Sequence, residues 1–242
     1  MKNHTTTTSP GADRVTTASR TFDGIGVRAA QIGLYETPIL HGRLADAAAL
    51  TAALRTAILD RHASGSSVGP SLARSNVGGW HSATDMLDWG GPAAAALANT
   101  AVKMAKRASH FDGRDAATVE WTVKMWANVS PPGALNMSHA HPGVLWAAVY
   151  YIDMGVAPAA SDGGGEAGGE LFFEDPRFPV PFMRLPGFRL VGIDGQPQPV
   201  ERRLPTEAGD LILFPAWLRH GVRPHLGTGD RISIAMNIDV KG

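Results

Sequence analysis

The chain has 242 residues, 44% hydrophobic and 18% charged, and 22 Lys+Arg balance 22 Asp+Glu to a formal charge of zero. This suits one globular domain with a sizeable core. The charge balance argues against a general nucleic-acid or anionic-membrane binder, which needs a basic surface. There is no cysteine, which excludes disulfides and thiolate metal sites, so any metal falls to His, Asp or Glu.

No apolar run approaches the roughly 18 residues that a membrane span needs. The opening Met1-Lys-Asn-His-Thr-Thr-Thr-Thr8 has no apolar h-region, so no secretory signal is expected and the cytoplasm is the default location. Residues 1–20, rich in Thr, Ser, Gly and Ala, are expected to form a disordered tail. Ala29–Leu40, with Ile32, Leu34, Tyr35 and Ile39, predicts a first strand ending near Pro38. From Arg43 to Arg61 the period changes: Ala47, Leu50, Leu54 and Ile58 share one helical face. Ser64–Gly79 reads as a Gly/Ser-rich loop. A second helix is predicted over Pro92–Arg107, with Pro92 in its first turn and Leu97, Ala101, Met104 and Ala108 as its apolar stripe.

From Ala117 the period becomes two: Val119, Trp121, Val123 and Met125 alternate with Glu120, Thr122, Lys124 and Trp126. Further strands are predicted at Val144–Ile152, Glu170–Glu174, Phe188–Ile193, Asp210–Phe214, Gly221–Arg223 and Arg231–Asp239. The Gly-rich run Ser161–Gly169 is a loop; no Gly-Lys-Ser/Thr follows it, so it is not a phosphate loop. Two helices followed by many short strands give an α+β, mainly β chain whose β part is a sandwich or small barrel. The expected organisation is a tail over 1–20 and a single domain over 21–242, with helical support at 41–110 and a β core at 115–240.

Three histidines stand out. His139 and His141 sit in Asn136-Met-Ser-His-Ala-His-Pro142, and His220 in Phe214-Pro-Ala-Trp-Leu-Arg-His-Gly221. Imidazoles at i and i+2 of an extended segment point to one side, and a third from far along the chain could close a metal site with open positions, as in a non-heme iron oxygenase. Arg231 follows eleven residues after His220; its guanidinium suits the far carboxylate of an organic acid on that metal. The last strand puts Arg231, Ser233, Ala235, Asn237 and Asp239 on one face and Ile232, Ile234, Met236 and Ile238 on the other. The polar face is either solvated or turned into a barrel holding an acidic ligand. His4, His41, His62, His81, His110 and His225 get the ordinary reading of surface or satisfied core residues, and Trp217 and Phe214 that of core packing.

The C-terminal half resembles the Fe(II)- and 2-oxoglutarate-dependent oxygenase superfamily. The segments His139-Ala-His141-Pro, Ala148-Val-Tyr-Tyr-Ile152, Gly168-Gly-Glu-Leu-Phe-Phe-Glu-Asp-Pro-Arg177, Gly209-Asp-Leu-Ile-Leu-Phe-Pro215, His220 and Arg231-Ile-Ser233 occur in that family's order and rough spacing. Ser75-Asn-Val-Gly-Gly-Trp-His-Ser82 is similar to a segment of a small, poorly characterised bacterial and phage branch of it. The likeness covers about residues 33 to 239. It implies a double-stranded β-helix, a jelly-roll or cupin-like fold, with two supporting N-terminal helices. It implies His139 and His220 as iron ligands, and Arg231 pairing with the C5 carboxylate of 2-oxoglutarate, assisted by Ser233. Tyr151 is then a second contact to that carboxylate, with Asn128 and Asn136 as further cofactor or substrate contacts.

The family pattern is His-x-Asp or His-x-Glu at the first motif; here the third position is His141. Three readings follow: His141 replaces the carboxylate, giving a metal site of His139, His141 and His220; a carboxylate such as Asp153 or Glu174 comes from elsewhere; or the site holds metal poorly and activity is lost. The i, i+2 geometry favours the first. The expected function is oxidation of an unactivated C–H bond, such as hydroxylation, on a small molecule, an amino acid or derivative among them. The partners are that substrate and dioxygen, without nucleic acid or membrane, and with a homodimer allowed for. Arg184, Arg189, Arg202 and Arg203, between the ligand motifs, are compatible with an acidic substrate. A three-histidine cupin-type dioxygenase that uses no 2-oxo acid is the enzymatic rival, and a non-catalytic jelly-roll binding module the rival of another class.

Overall fold

The computed structural model describes residues 15–22, 25–65, 75–115, 118–156, 168–177 and 185–241. The chain divides into two compact units, Met1–Thr37 with Arg177–Val200, and Pro38–Pro176 with Glu201–Gly242. In the first, β1 (Val15–Phe22) and β2 (Ile25–Ile32) form an antiparallel hairpin registered Val15 to Ile32. Residues 15–20, expected in the tail, are therefore strand. The strand expected over Ala29–Leu40 stops at Ile32, and Leu34 and Tyr35 beyond it are exposed. The strand expected at Phe188–Ile193 shrinks to one bridge between Val191 and Pro197. Residues 1–14 and 178–184, with His4 and Arg184, lie outside the described residues, as do 66–74 and most of the Gly-rich run 161–169.

The second unit carries the site. Its elements are β3 (Leu40–Arg43), α1 (Ala48–Ala63), β4 (Asn76–Val77), β5 (Trp80–His81), α2 (Met86–Trp89), α3 (Gly91–Arg107), β6 (Trp121–Ser130), β7 (Leu135–His139), β8 (Trp146–Val156), β9 (Leu171–Glu174), β10 (Glu201–Leu204), β11 (Asp210–Pro215), β12 (His220–Val222) and β13 (Thr228–Val240). Six strands make the larger sheet, in the order β3-β11-β8-β13-β6-β5, and five the smaller, in the order β10-β9-β12-β7-β4. Paired strands run antiparallel throughout both. This is a double-stranded β-helix with helices on one face, as the resemblance implied and in keeping with the helices-then-strands pattern of the sequence. No helix among the described residues is long and apolar enough to cross a membrane.

The two predicted helices start a few residues late (α1) or one residue early (α3). Pro92 sits in the first turn of α3, and Lys106 and Arg107 in its last turn face the negative end of its dipole. The α1 face Leu54 and Ile58, and the α3 face Ala94, Leu97, Ala98, Ala101 and Ala105, are buried against Met125, Ala127 and Val129 of β6, Tyr150 of β8 and Ile232, Ile234, Met236 and Ile238 of β13. Each fully buried Leu or Ile contributes about 1.5–3 kcal/mol. Small alanines on α3 bring it close to the sheet. A second core, between the sheets, joins Ala147 and Tyr151 of β8 and Ile212 and Phe214 of β11 to Leu171 and Phe173 of β9. Trp217, assigned to the core from sequence, is instead 55% exposed, because it lies in the turn after β11, past the strand alternation that buries Phe214.

Strand parity decides what faces the cavity between the sheets. On β13 the apolar residues face the helices, so Arg231, Ser233, Ala235 and Asn237 turn inward. On β8 the inward set begins Ala147, Val149, Tyr151. Strict alternation would continue it with Asp153. Instead Tyr151 pairs with Ser233 and Asp153 with Ile232, leaving Ile152 as one surplus residue, a β-bulge. Beyond it the parity is reversed: Met154 packs on the inter-sheet core, and Asp153 approaches Arg55 of α1 at 3.6 Å.

Candidate active site

The cavity between the sheets has a volume of about 440 Å³, in the range of small-molecule sites. His139, at the end of β7, pairs in register with His220, at the start of β12. His141 lies two residues past β7, where its N–H donates to the Ala216 carbonyl at 2.8 Å and holds the segment extended. The three rings converge, with centroids 4.4 Å apart for His139 and His220, 5.0 Å for His139 and His141 and 5.1 Å for His141 and His220. One ring nitrogen from each lies within 4.8 Å of the others.

Their tautomers are set by acceptors behind them. His139 Nδ1–H donates to the Met137 carbonyl at 2.7 Å, and His220 Nδ1–H to the Leu218 carbonyl at 2.8 Å. His141 Nδ1–H donates to Asn237 Oδ1. Each Nε2 is then a free lone pair, and that of His141 is buried without a hydrogen-bond partner. A fixed Nδ1–H and an open Nε2 is the second-shell arrangement that prepares histidine for metal. Burial pushes all three pKa values down, that of His220 to about 3, and mutual repulsion between His139 and its neighbours adds to this. The rings are thus neutral at physiological pH, as ligation requires.

Arg231 enters from the larger sheet. It is 2% exposed. Its guanidinium lies over the Tyr151 ring at 5.1 Å and has a long contact, 3.5 Å, to Ser233 Oγ. Nε and Nη2 have no hydrogen-bond partner, and neither do Tyr151 Oη and Asn128 Oδ1. Register explains the grouping: Ser233 pairs with Asn128 of β6 on one side and Tyr151 of β8 on the other. Gly169, at φ +74°, makes room, since a Cβ there would stand 3.1 Å from Arg231 Cδ. Burial pushes the Arg231 pKa down and the Tyr151 pKa up. No carboxylate pairs with Arg231 among the described residues. A buried, unpaired guanidinium at the end of a cavity is an anion site.

The structure therefore brings His139, His141, His220, Arg231, Ser233, Tyr151, Asn128 and Asn136 to one cavity. The two carboxylates considered as remote ligands are engaged elsewhere: Asp153 is turned out by the bulge, and Glu174 Oε2 accepts from Arg219 at 2.8 Å. Arg189, Arg202 and Arg203 are exposed or surface-paired. Two features escaped the sequence reading. Asn237 was placed on the polar face without a role. His81, given the ordinary reading, lines the cavity and stacks on Trp126 (5.6 Å, 18°), which stacks in turn on His141 (6.1 Å, 24°). Continuing the β6 alternation from Trp126 to Asn128 was the available signal for Trp126.

Residues 124–237 match the model of the family described as "Putative 2OG-Fe(II) oxygenase". No curated protein matches the chain significantly. Among solved structures, a Pseudomonas putida prolyl-4-hydroxylase aligns over 85% of this chain and 94% of its own, at 20% identity and TM-score 0.55. HygX from Streptomyces hygroscopicus, solved with nickel, 2-oxoglutarate and hygromycin B, aligns over 84% and 83% at 15% identity and TM-score 0.53. SnoN, an α-ketoglutarate-dependent epimerase of nogalamycin biosynthesis, aligns over 84% and 77% at 15% identity and TM-score 0.55. The chain thus shares its fold with these structures, and its residues 124–237 are similar to the 2OG-Fe(II) oxygenase family.

Proposed function

We propose that this protein is an Fe(II)- and 2-oxoglutarate-dependent oxygenase that oxidises a C–H bond of a small organic molecule, with His139, His141 and His220 as the metal ligands. The observation that carries this is the pairing of two preparations in one cavity: three neutral imidazoles with free Nε2 atoms and a buried guanidinium with no anion of its own. A metal alone would explain the first; a 2-oxo acid lying between them explains both.

When bound, iron and 2-oxoglutarate supply the oxidising power through dioxygen; the protein supplies placement. Arg231 receives the distal carboxylate of the 2-oxo acid in a bidentate fork. Ser233 and Tyr151 give hydroxyl donors to the same carboxylate, and Asn128 adds its amide from β6. Leu171, Phe214, Ala147 and Val149 form an apolar wall that excludes water from the acid's methylenes. Asn237 holds His141 in the Nδ1–H tautomer. The neighbours include a hydroxylase and an epimerase, so the outcome of the oxidation is a separate question from the use of iron and 2-oxoglutarate.

Anaerobic titration of Fe(II) into the metal-free protein, with and without 2-oxoglutarate, tests the proposal. A weak visible charge-transfer band that requires both components is expected. Tight iron binding without such a band would overturn it in favour of a cupin-type dioxygenase.

A further inference from the structure

The ligand set has a consequence for charge. All three ligating side chains are neutral, and the residue behind His141 is an amide, Asn237. Among the described residues that line the cavity there is no Asp, no Glu and no Lys; Arg231 is the only fixed charge. The centre read above holds a dication, one guanidinium and a dianionic 2-oxo acid, and so keeps one uncompensated positive charge. A carboxylate at position 141 would have cancelled it. An unpaired charge removed from water is costly until an opposite charge joins it.

The end of the cavity away from Arg231 is built differently. β6 alternates from Asn128, beside Ser233, to Trp126, beside Ala235. The near-parallel, stacked series His81, Trp126 and His141 makes an aromatic shelf that lines the cavity up to the third ligand. Thr84 and Asn136 also line the cavity, with neutral hydrogen-bonding groups. The shelf offers apolar aromatic surface to a carbon skeleton and no carboxylate to a substrate ammonium group.

Resting on the Fe(II)/2-oxoglutarate reading, we propose that the substrate is a monoanionic organic acid whose carbon skeleton packs on the Trp126 shelf and whose charge completes the neutrality of the centre. Cationic substrates are excluded by the same account, and zwitterions gain nothing from it.

The test uses the full chain loaded with Co(II) and saturated with 2-oxoglutarate, read by the cobalt absorption spectrum and by tryptophan fluorescence. Matched pairs are titrated: benzoate against benzamide, and cyclohexanecarboxylate against its amide. Each acid is expected to bind at least about tenfold more tightly than its amide, the attraction of one charge in a partly screened cavity. In His141→Asp the acid preference is expected to collapse toward unity while cobalt remains bound. Acids that bind no better than amides, that bind only by reversing the spectral change due to 2-oxoglutarate, or that keep their advantage in His141→Asp would overturn the proposal. Should His141→Asp fail to fold, the wild-type acid–amide contrast decides the matter alone. A cobalt spectrum indifferent to 2-oxoglutarate would instead overturn the functional reading, and this inference with it.

Discussion

Replacing Arg231 with methionine separates stability from function in a way that few substitutions can. The side chain is 2% exposed, has no ion-pair partner among the described residues, and leaves Nε and Nη2 without hydrogen bonds. In the metal-free protein it is therefore a buried charge bearing its desolvation penalty with little return. Methionine is similar in length, flexible and apolar, and can lie on the Tyr151 ring. Exchanging uncompensated buried ions for well-packed apolar residues stabilises proteins by about 1–4 kcal/mol. For a chain of this size that is a rise in Tm of roughly 3–15 °C. The holoprotein should behave oppositely. A ligand present at 100 times its Kd adds about 2.7 kcal/mol to the wild type; Arg231→Met should lose this increment for 2-oxoglutarate and keep that for metal. Denaturant unfolding of both proteins, bare, with Zn(II), and with Zn(II) plus 2-oxoglutarate, measures all the terms. A bare variant less stable than wild type by more than about 1 kcal/mol, or one still stabilised by 2-oxoglutarate, would refute the reasoning.

Asn237→Leu removes the acceptor that fixes His141 and should weaken metal binding by about 10–100-fold, as read by competition with a chromophoric chelator; unchanged affinity would mean that His141 is not a ligand. His220 stays neutral in the folded chain down to about pH 3 but takes up a proton near 6.5 once unfolded. The unfolded state thus binds more protons in that window, and stability of the metal-free protein should fall as pH drops from about 6.5 toward 3, by up to ~5 kcal/mol from this residue. Urea unfolding at a series of pH values checks this, and a flat profile in the wild type, or an undiminished slope in His220→Gln, would count against it. Asp210 is pushed up by burial, but Arg43, the Glu207 amide and His41 outweigh that and hold it below the ordinary carboxylate range. Its contribution is present above that range and lost as pH falls through it, so Asp210→Asn should cost about 1–3 kcal/mol at neutral pH and flatten the acid limb of a stability–pH curve.

The histidine triad and Arg231 were legible because their geometry is short-range or periodic. His139 and His141 need only an extended segment, and the alternation of Ile232, Ile234, Met236 and Ile238 fixes the face that Arg231 and Ser233 share. Pattern alone could not say whether that face met solvent or a cavity; the burial of Arg231 does. What stayed hidden depends on pairing between distant strands. Asn237 reaches His141 across 96 residues of chain. His81 looked ordinary because β5 is two residues long and carries no period of its own. Asp153 and Glu174 could not be assigned from sequence, since their partners Arg55 and Arg219 come from other elements. The hairpin of β1 and β2 was missed because Thr, Ser and Gly dominate residues 1–20, although Thr is also a good strand former.

The bulge at Ile152 has a reach beyond local geometry. Had β8 kept its alternation, Asp153, the one carboxylate along it, would have faced inward opposite Arg231, and the two would have neutralised each other. The cavity would then hold an internal ion pair, comfortable in the free protein and closed to an incoming acid. One surplus residue keeps the guanidinium hungry. Deleting Ile152 would leave Asp153 directly after the inward Tyr151 and still facing out, so it is the surplus residue's lack of a partner, and not its side chain, that decides whether this strand counts odd or even beside Arg231.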